Sequence, residues 1–459
     1  MSSVRKFAIA MTVFASLISL SSCSGNNSGT TQPAAVARQS TVKLFITDAE
    51  NDKFNQILVT ITDITLIAPD GTNQLVSTTS TTIDLRKMTD FFQFLAQNGV
   101  NSGNYSKIRL TVGKIVLNQV DSNGNIIATQ TVTPPSGKID IIPSKEISLS
   151  DGGQQSLVMD FDANHSFKLV TTGNGKIVFR PVIFLHQLGD HESMPGRMAR
   201  LHGAITSPDL MNFSFKLCSM DHERPDECLT VEFDDTTLMY DPNLAPITPN
   251  DLVENTEIEV FGHLEKDGME THIRASILVL GPDGTLSYAR GQVSTAPDAQ
   301  NLMSVNVKSG QTIPAGDTSV QLVDPVKIFS RSTGKLLTMT DLTAGTPVMV
   351  IGQYDANSSL FTAIAVSVAD QRDEVTGTVT AVKLSTDGQT TTLTINTPSG
   401  DQCVTVNQAT RIAIDDGSED DQVTLGTATN INVGQKISVR GALGADQCIT
   451  AASVVTSGS

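Results

Sequence analysis

Three segments in the C-terminal part of the chain carry the same pair of landmarks, and this repetition is the strongest constraint on the fold. Each segment has one glycine in an early strand-like run and a second glycine in a later run. The early glycines are separated by 88 and 86 residues and the later ones by 90 and 89, at the following positions: Gly203, Gly291 and Gly377, then Gly262, Gly352 and Gly441. A fixed period of this length indicates three copies of one structural unit.

The glycines also indicate what each unit looks like. A glycine inside a strand marks a bulge or a tight bend, which lets a small sheet curl on itself, and closure removes exposed sheet edges. The sequence therefore predicts three tandem small β-barrels, OB-like in pattern, over residues 199–280, 288–369 and 374–456. Their short connections predict a strung-out but not fully floppy array. The units resemble the bacterial domain of unknown function 5666, often found in tandem on lipoproteins, which implies a fold and a setting without a reaction.

Residues 41–187 have a different pattern. Strand-like runs such as "TVKLFITDA" and "KIVFRPVIFLH" alternate with turns rich in Gly, Asn and Asp. In the stretch "DLRKMTDFFQFLAQNG" the apolar residues Leu85, Met88, Phe92 and Leu95 follow the helical period instead. The sequence predicts an all-β chain that begins with a β-sandwich, prealbumin-like or Ig-like, into which one helix is inserted.

An ordered set of short motifs in this module resembles a known family. The motifs are "TDA" from Thr47, "IDL" from Ile83, "GNYSKIRL" from Gly103, "LVMDFDANHS" from Leu157 and "RPVI" from Arg180. Together they look like the bacterial lipoprotein domain of unknown function 4382. The resemblance covers nearly the whole module, and it implies no particular chemistry.

The N-terminus has the features of a targeting signal. A basic pair precedes an apolar run from Phe7 to Leu20, which is too short for a membrane span and predicts a secretory signal peptide over residues 1–22. The stretch that ends at Cys23 resembles a bacterial lipobox, which implies cleavage before Cys23 and its lipidation. The following Ser24 implies the outer membrane, and residues 23–40 predict a flexible tether. An ordinary signal peptide with a coincidental cysteine is the alternative.

Four cysteines remain for an oxidising compartment. Cys218 and Cys228 both lie in the first repeat, and Cys403 and Cys448 both lie in the third. Pairing within modules predicts the disulfides Cys218–Cys228 and Cys403–Cys448, because any other pairing would join two barrels across the middle one. Four buried free thiols are the alternative.

Acidic residues in the sandwich are candidate cation ligands. Asp48 ends the first strand, and Asp160 and Asp162 alternate within "MDFDAN", which places each set on one face or rim. Because carboxylate oxygens are preferred ligands of Ca²⁺, these three residues form a weak calcium-site hypothesis. Solvated loop charge, or a local turn hydrogen bond at Asp48, is the alternative.

The composition restricts the classes of partner. A net charge of −17 argues against nucleic acid, and the absence of Trp weakens carbohydrate binding. The sequence contains no phosphate-loop, zinc-protease or nucleophile-elbow motif. We expect a non-enzymatic protein of the cell envelope, in the outer membrane, that needs no cofactor unless the calcium hypothesis holds. It would be anchored to the membrane through Cys23 and act in a structural, adhesive or ligand-binding role toward envelope proteins or glycans. A calcium- or carbohydrate-binding sandwich, or an unrecognised envelope hydrolase, is the alternative.

Overall fold

The described part of the chain is built mainly of β-strands, with short helical turns between them. The computed structural model describes residues 39–48, 54, 56–88, 91–120, 126–132, 136–143, 145–169, 177–179, 181–189, 198–220, 228–268, 270–310, 313–331, 334–369, 373–385, 388–415, 423–444 and 446–457. The predicted signal peptide, Cys23 and nearly all of the tether lie outside these residues. No helix in the described part is long and apolar enough to cross a membrane. The predicted all-β class is confirmed.

The N-terminal domain is a sandwich of two sheets. One sheet has the strand order β14-β11-β1-β5, and the other has the order β3-β2-β7-β8, with β4 on β2 and β9 on β7. One helical turn, α1 (Ala163–Ser166), follows β11. The strands are β1 Gln39–Asp48, β2 Gln56–Ile67, β3 Asn73–Ser77, β4 Thr81–Asp84, β5 Phe91–Asn101, β6 Gly103–Tyr105, β7 Lys107–Val120, β8 Ile126–Val132, β9 Lys138–Ile141, β10 Ile147–Leu149, β11 Gln154–Phe161, β12 Phe167–Leu169, β13 Ile177–Phe179 and β14 Ile183–Gln187.

Alternation along the strands explains the sandwich core. In β1, Val42, Leu44 and Ile46 are buried between the two sheets, while Phe45 faces away and joins a second hydrophobic cluster. Both faces of this sheet are therefore covered. Apolar and polar residues consequently alternate less strictly along its strands than they would in a sheet with one exposed face.

The predicted inserted helix is wrong. Leu85–Met88 form a single 3-10 turn, and the residues that follow form β5. The strand carries a register shift opposite Leu44 and Phe45, so Leu95 and Ala96 are both buried although they are neighbours. Because a bulge adds a residue and both faces of β5 are packed, the apolar spacing imitates a helical period.

The C-terminal part forms three five-stranded rings, which confirms the predicted closed barrels. Their orders are β15-β16-β17-β20-β19, β21-β22-β23-β25-β24 and β26-β27-β28-β32-β31, and in each ring the last strand pairs with the first. The strands are β15 Met198–Asp209, β16 Ser214–Cys218, β17 Cys228–Glu232, β18 Leu238–Tyr240, β19 Glu257–Asp267, β20 Glu270–Leu280, β21 Ser287–Thr295, β22 Leu302–Gly310, β23 Gly316–Ser330, β24 Pro347–Asp355, β25 Leu360–Val368, β26 Asp373–Leu384, β27 Thr390–Thr397, β28 Gly400–Asn407, β29 Arg411–Asp415, β30 Val423–Gly426, β31 Lys436–Leu443 and β32 Cys448–Ser457.

The repeated glycines occupy equivalent positions, as predicted. Each early glycine pairs with the residue four positions before the later glycine of its own barrel: Gly203 with Ile258, Gly291 with Val348 and Gly377 with Ile437. Each later glycine follows a register shift and pairs with an alanine: Gly262 with Ala275, Gly352 with Ala363 and Gly441 with Ala451.

Close approach of the backbone explains why these residues are glycines. A Cβ at Gly377 would lie 2.6 Å from the carbonyl oxygen of Asn396, and a Cβ at Gly352 would overlap the carbonyl oxygen of Thr362. A side chain at either position would push neighbouring strands apart.

A 3-10 turn with a capping box precedes the later glycine strand in every barrel. The turns are Pro249–Asp251, Met339–Asp341 and Ala428–Asn430, and each is preceded by a capping threonine. In the second barrel the Asp341 carboxylate accepts hydrogen bonds from the backbone N–H and the hydroxyl of Thr338, at 2.8 and 2.9 Å. This T-x-x-D/N signal is a further landmark of the repeat that the glycine pattern did not include.

The predicted strung-out array is wrong, because buried apolar side chains join the modules. Phe45 and Val158 of the sandwich belong to the core cluster of the first barrel, and Phe261 of the first barrel packs in one cluster with Tyr288 and Ile351 of the second. A polar seam adds to the first contact. The buried amine of Lys43 donates to the carbonyl oxygen of Thr271 at 3.4 Å.

Candidate functional site

The sandwich and the first barrel share one continuous sheet. Strand β5 pairs with β1 on one side and runs parallel to β15 on the other, where Phe91 faces Met198 and Phe92 faces Ala199. Among the described residues these two pairs alone join β5 to β15, and the two modules diverge beyond Phe92 and Ala199. The divergence leaves a cleft of about 640 Å³ between β2, β4 and β5 on one side and β15, β16 and β17 on the other.

Apolar and polar side chains both line the cleft, and its accessible wall is more polar than apolar. Phe94 is half-buried and packs edge-on against Phe45, with ring centroids 5.5 Å apart. This contact with Phe45 holds the Phe94 ring in position. The other apolar side chains of the wall come from both modules: Leu58, Ile83, Met88, Phe91, Phe92, Leu201, Leu217 and Leu229. A mixed wall of this kind can bind a ligand that carries both polar and apolar groups.

A fixed polar edge lies on the sandwich side. The Asp84 carboxylate accepts hydrogen bonds from the backbone N–H groups of Ile57 (3.3 Å) and Arg86 (3.2 Å) and from the side-chain amide of Gln56 (3.4 Å). Gln56 in turn accepts a hydrogen bond from the amide of Asn118 at 2.7 Å. This network holds Asp84 and Gln56 in defined orientations at the cleft.

Charged groups line the barrel side. Arg200 donates to the Glu259 carboxylate at 3.0 Å, and the same oxygen, Oε1, accepts the backbone N–H of Gly284 at 3.1 Å. Glu259 is fully buried, and its Oε2 has no hydrogen-bond partner among the described residues. His202 lies 3.4 Å from the Glu257 carboxylate. Glu259 lies behind the cleft wall, where its carboxylate holds Arg200 in place.

A disulfide stiffens the same wall. Cys218 lines the cleft and is bonded to Cys228 on the neighbouring strand, with Cα atoms 4.1 Å apart. The second disulfide joins Cys403 to Cys448 in the third barrel, with Cα atoms 4.5 Å apart. Both bonds connect residues that face each other across paired strands, and both are the predicted pairs.

The acidic residues predicted as calcium ligands lie at one end of the sandwich sheet, and the Asp160 and Asp162 carboxylates contact other groups. Asp48 faces Phe161, the last residue of β11, which lies between Asp160 and Asp162 in the sequence. The Asp160 carboxylate forms an ion pair with Arg411 of the third barrel. The calcium hypothesis, which also needs the Asp48 carboxylate, stays a prediction.

Asp162 has a structural role. Its carboxylate caps α1 by accepting the backbone N–H of His165 at 3.1 Å and contacts the His165 ring nitrogen at 2.7 Å. Across the described ranges, no group of three His, Cys, Asp or Glu side chains is arranged to hold a metal.

The sequence predicted neither the cleft nor the ion pair between Arg411 and Asp160. The cleft residues are spread over more than 200 positions, and no local motif connects the "IDL" segment at Ile83 with "RLHG" from Arg200. Arg411 is an isolated cation at the start of a strand, and no spacing in the sequence points from it to Asp160.

Comparison with known proteins bears on the N-terminal domain alone. Residues 39–181 match the family model described as "Domain of unknown function (DUF4382)". The match covers less than a third of the chain and confirms the predicted resemblance of the sandwich module. No curated protein matches the chain. The resemblance of the repeats to domain of unknown function 5666 stays a prediction.

Proposed function

We propose that this chain is a non-enzymatic, lipid-anchored protein of the cell envelope that binds a ligand in the cleft between the sandwich and the first barrel. The observation that carries the ligand-binding role is the cleft itself, with its mixed wall of charged, amide and apolar side chains. Its volume of about 640 Å³ falls within the range of roughly 300–1,000 Å³ that is usual for small-ligand sites.

The surrounding architecture supports binding by a preformed site. The two walls belong to modules that share a sheet and a hydrophobic cluster, so the cleft does not depend on a flexible linker. The Cys218–Cys228 bond fixes one wall, and the hydrogen bonds to Asp84 fix the other. Pre-organised walls lower the entropic cost of binding.

The anchoring half of the proposal depends on the lipobox-like stretch before Cys23. Metabolic labelling with palmitate should mark the native chain, and a Cys23→Ala variant should lose the label. Globomycin, which blocks cleavage of lipoprotein signals, should cause the precursor to accumulate. Labelling that persists in the variant would contradict lipidation at this residue.

The binding half is tested by filling the cleft. Gln93 lines the cleft and is exposed, so Gln93→Trp should block the cleft without disturbing the core. The matched control is Thr378→Trp, an exposed strand position of the third barrel.

The unlipidated chain is screened by calorimetry against purified envelope glycans, peptidoglycan fragments and fatty acids. We expect a compound that binds the native chain and the control and loses at least tenfold in affinity with Gln93→Trp. Equal binding by the two tryptophan variants, or no binding by any compound in the panel, would count against the cleft as the functional site.

A further inference from the structure

The third barrel contacts the sandwich through a small patch of side chains. Val182 and Phe184 of the sandwich and Ala413 and Val455 of the third barrel form one buried hydrophobic cluster. All four residues are at most 7% exposed. The cluster lies at the outer edge of the sandwich sheet, because Phe184 belongs to the edge strand β14.

One cation is at the centre of this contact. Arg411, the first residue of β29, pairs with the Asp160 carboxylate, and its guanidinium carbon lies 5.1 Å from the centre of the Phe184 ring. Asp160 and Phe184 face each other across β11 and β14, so carboxylate and ring are neighbours in the sheet. A carboxylate beside an aromatic face matches the two ways in which a guanidinium binds, by ion pairing and by stacking.

The Arg411 guanidinium is positively charged at neutral pH. Burial, together with the nearby Arg440, lowers the pKa of Arg411 to about 10. The guanidinium is therefore cationic under physiological conditions, and the Asp160 side chain that it meets is 9% exposed. The Arg411 side chain is 35% exposed, so the pair is shielded mainly on its Asp160 side, and removal of Arg411 takes this cation away from a mostly buried carboxylate.

The first and the third barrel are attached to the sandwich in different ways. The first barrel is joined to the sandwich by backbone hydrogen bonds between β5 and β15 as well as by a shared core. The described contact of the third barrel with the sandwich consists of side chains, namely the small cluster and the Arg411 pair. A side-chain patch of this size separates at a lower cost than a shared sheet does.

We propose that the third barrel is a releasable cap on the acidic end of the sandwich, and that Arg411 is the residue that keeps it docked. Asp160 and Phe184 are then an arginine-binding surface, whose occupant in the docked state is the chain's own third barrel. Release would uncover this surface while the sandwich and the first two barrels stay together.

The test measures the dimensions of the unlipidated full chain by small-angle X-ray scattering. Arg411→Gln and Asp160→Asn should each increase the radius of gyration by roughly a tenth, because a module of about 80 residues leaves a compact body. Lys383→Gln, which removes an exposed cation from the same barrel, is the matched control and should leave the dimensions unchanged.

Two further measurements separate release from unfolding. The double variant of Arg411 and Asp160 should expand no more than either single variant, because both changes break one contact. Far-ultraviolet circular dichroism and the Cys403–Cys448 bond should stay native in all variants. Native dimensions in Arg411→Gln, or an expansion that occurs together with loss of β-structure, would overturn the proposal.

Discussion

A third disulfide should form in the second barrel when Ser319 and Leu360 are both replaced by cysteine. In the third barrel Cys403 and Cys448 face each other across a parallel strand pair, three residues before the alanine that pairs with the later glycine. Ser319 and Leu360 face each other in the corresponding parallel pair, and Leu360 lies three residues before Ala363. The two sites are therefore equivalent in register.

The expected stabilisation follows from the loop that the new bond would close. The native Cys403–Cys448 bond spans 45 residues, a length for which the loop-entropy model gives about 4 kcal/mol. The loop from Ser319 to Leu360 is nearly as long. Because engineered crosslinks deliver less than the model value, we expect about 2 kcal/mol, or roughly 10 °C in the unfolding transition of a domain of this size.

The assay combines non-reducing peptide mapping with calorimetry, each with and without reductant. The control places the second cysteine two residues out of register, as Ser319→Cys with Thr362→Cys, since Thr362 faces Gln321 instead. We expect a crosslink and a raised transition in the first variant and two free thiols in the control. If the in-register pair stays reduced, or the control crosslinks equally well, the equivalence of the barrels is refuted.

Three other outcomes are expected. Gly377→Ala should destabilise the third barrel by about 1–3 kcal/mol through backbone overlap, whereas Gly113→Ala, where a Cβ has ordinary contacts, should change the free energy of unfolding by less than about 0.5 kcal/mol. Burial lowers the pKa of Lys43 to about 8. The folded chain therefore binds fewer protons than the unfolded chain between about pH 8 and 10.5, and its stability should rise with pH across that window in denaturant titrations. Lys43→Met should remove this rise and stabilise the chain at neutral pH, by on the order of 2 kcal/mol. Hydrogen bonds from Thr338 lower the pKa of Asp341, so Thr338→Val should raise that pKa in a carboxyl NMR titration.

The repeat could be read from the sequence because its landmarks depend on local backbone geometry. Gly291 and Gly352 are needed where a Cβ would overlap a carbonyl oxygen, and this requirement recurs with the strand register. The cysteine pairs followed from the module boundaries that the repeat defines, because each pair lies within one barrel. In each case the signal depends on neighbouring strands within one module, which the period of the repeat brings together.

Features built between modules could not be predicted in this way. Phe92 and Leu95 follow a helical period only because a bulge and a second packed face disturb the alternation of β5. The cleft exists because β5 pairs with β15 over two residues and then diverges. The partner of Asp160 comes from a barrel 250 residues further along the chain. Such contacts depend on how finished modules pack, and no local pattern encodes them.

The central position of β1 has a mechanical consequence. This strand is the first of the sandwich, and it pairs over eight residues with β5 on one side and over eight residues with β11 on the other. A chain held by its N-terminus and pulled from its far end would load β1 along its own axis. Two rows of backbone hydrogen bonds would then have to slide at the same moment, whereas an edge strand could be peeled away one bond at a time. The sandwich is therefore built to resist extension at the point where a tether would apply force.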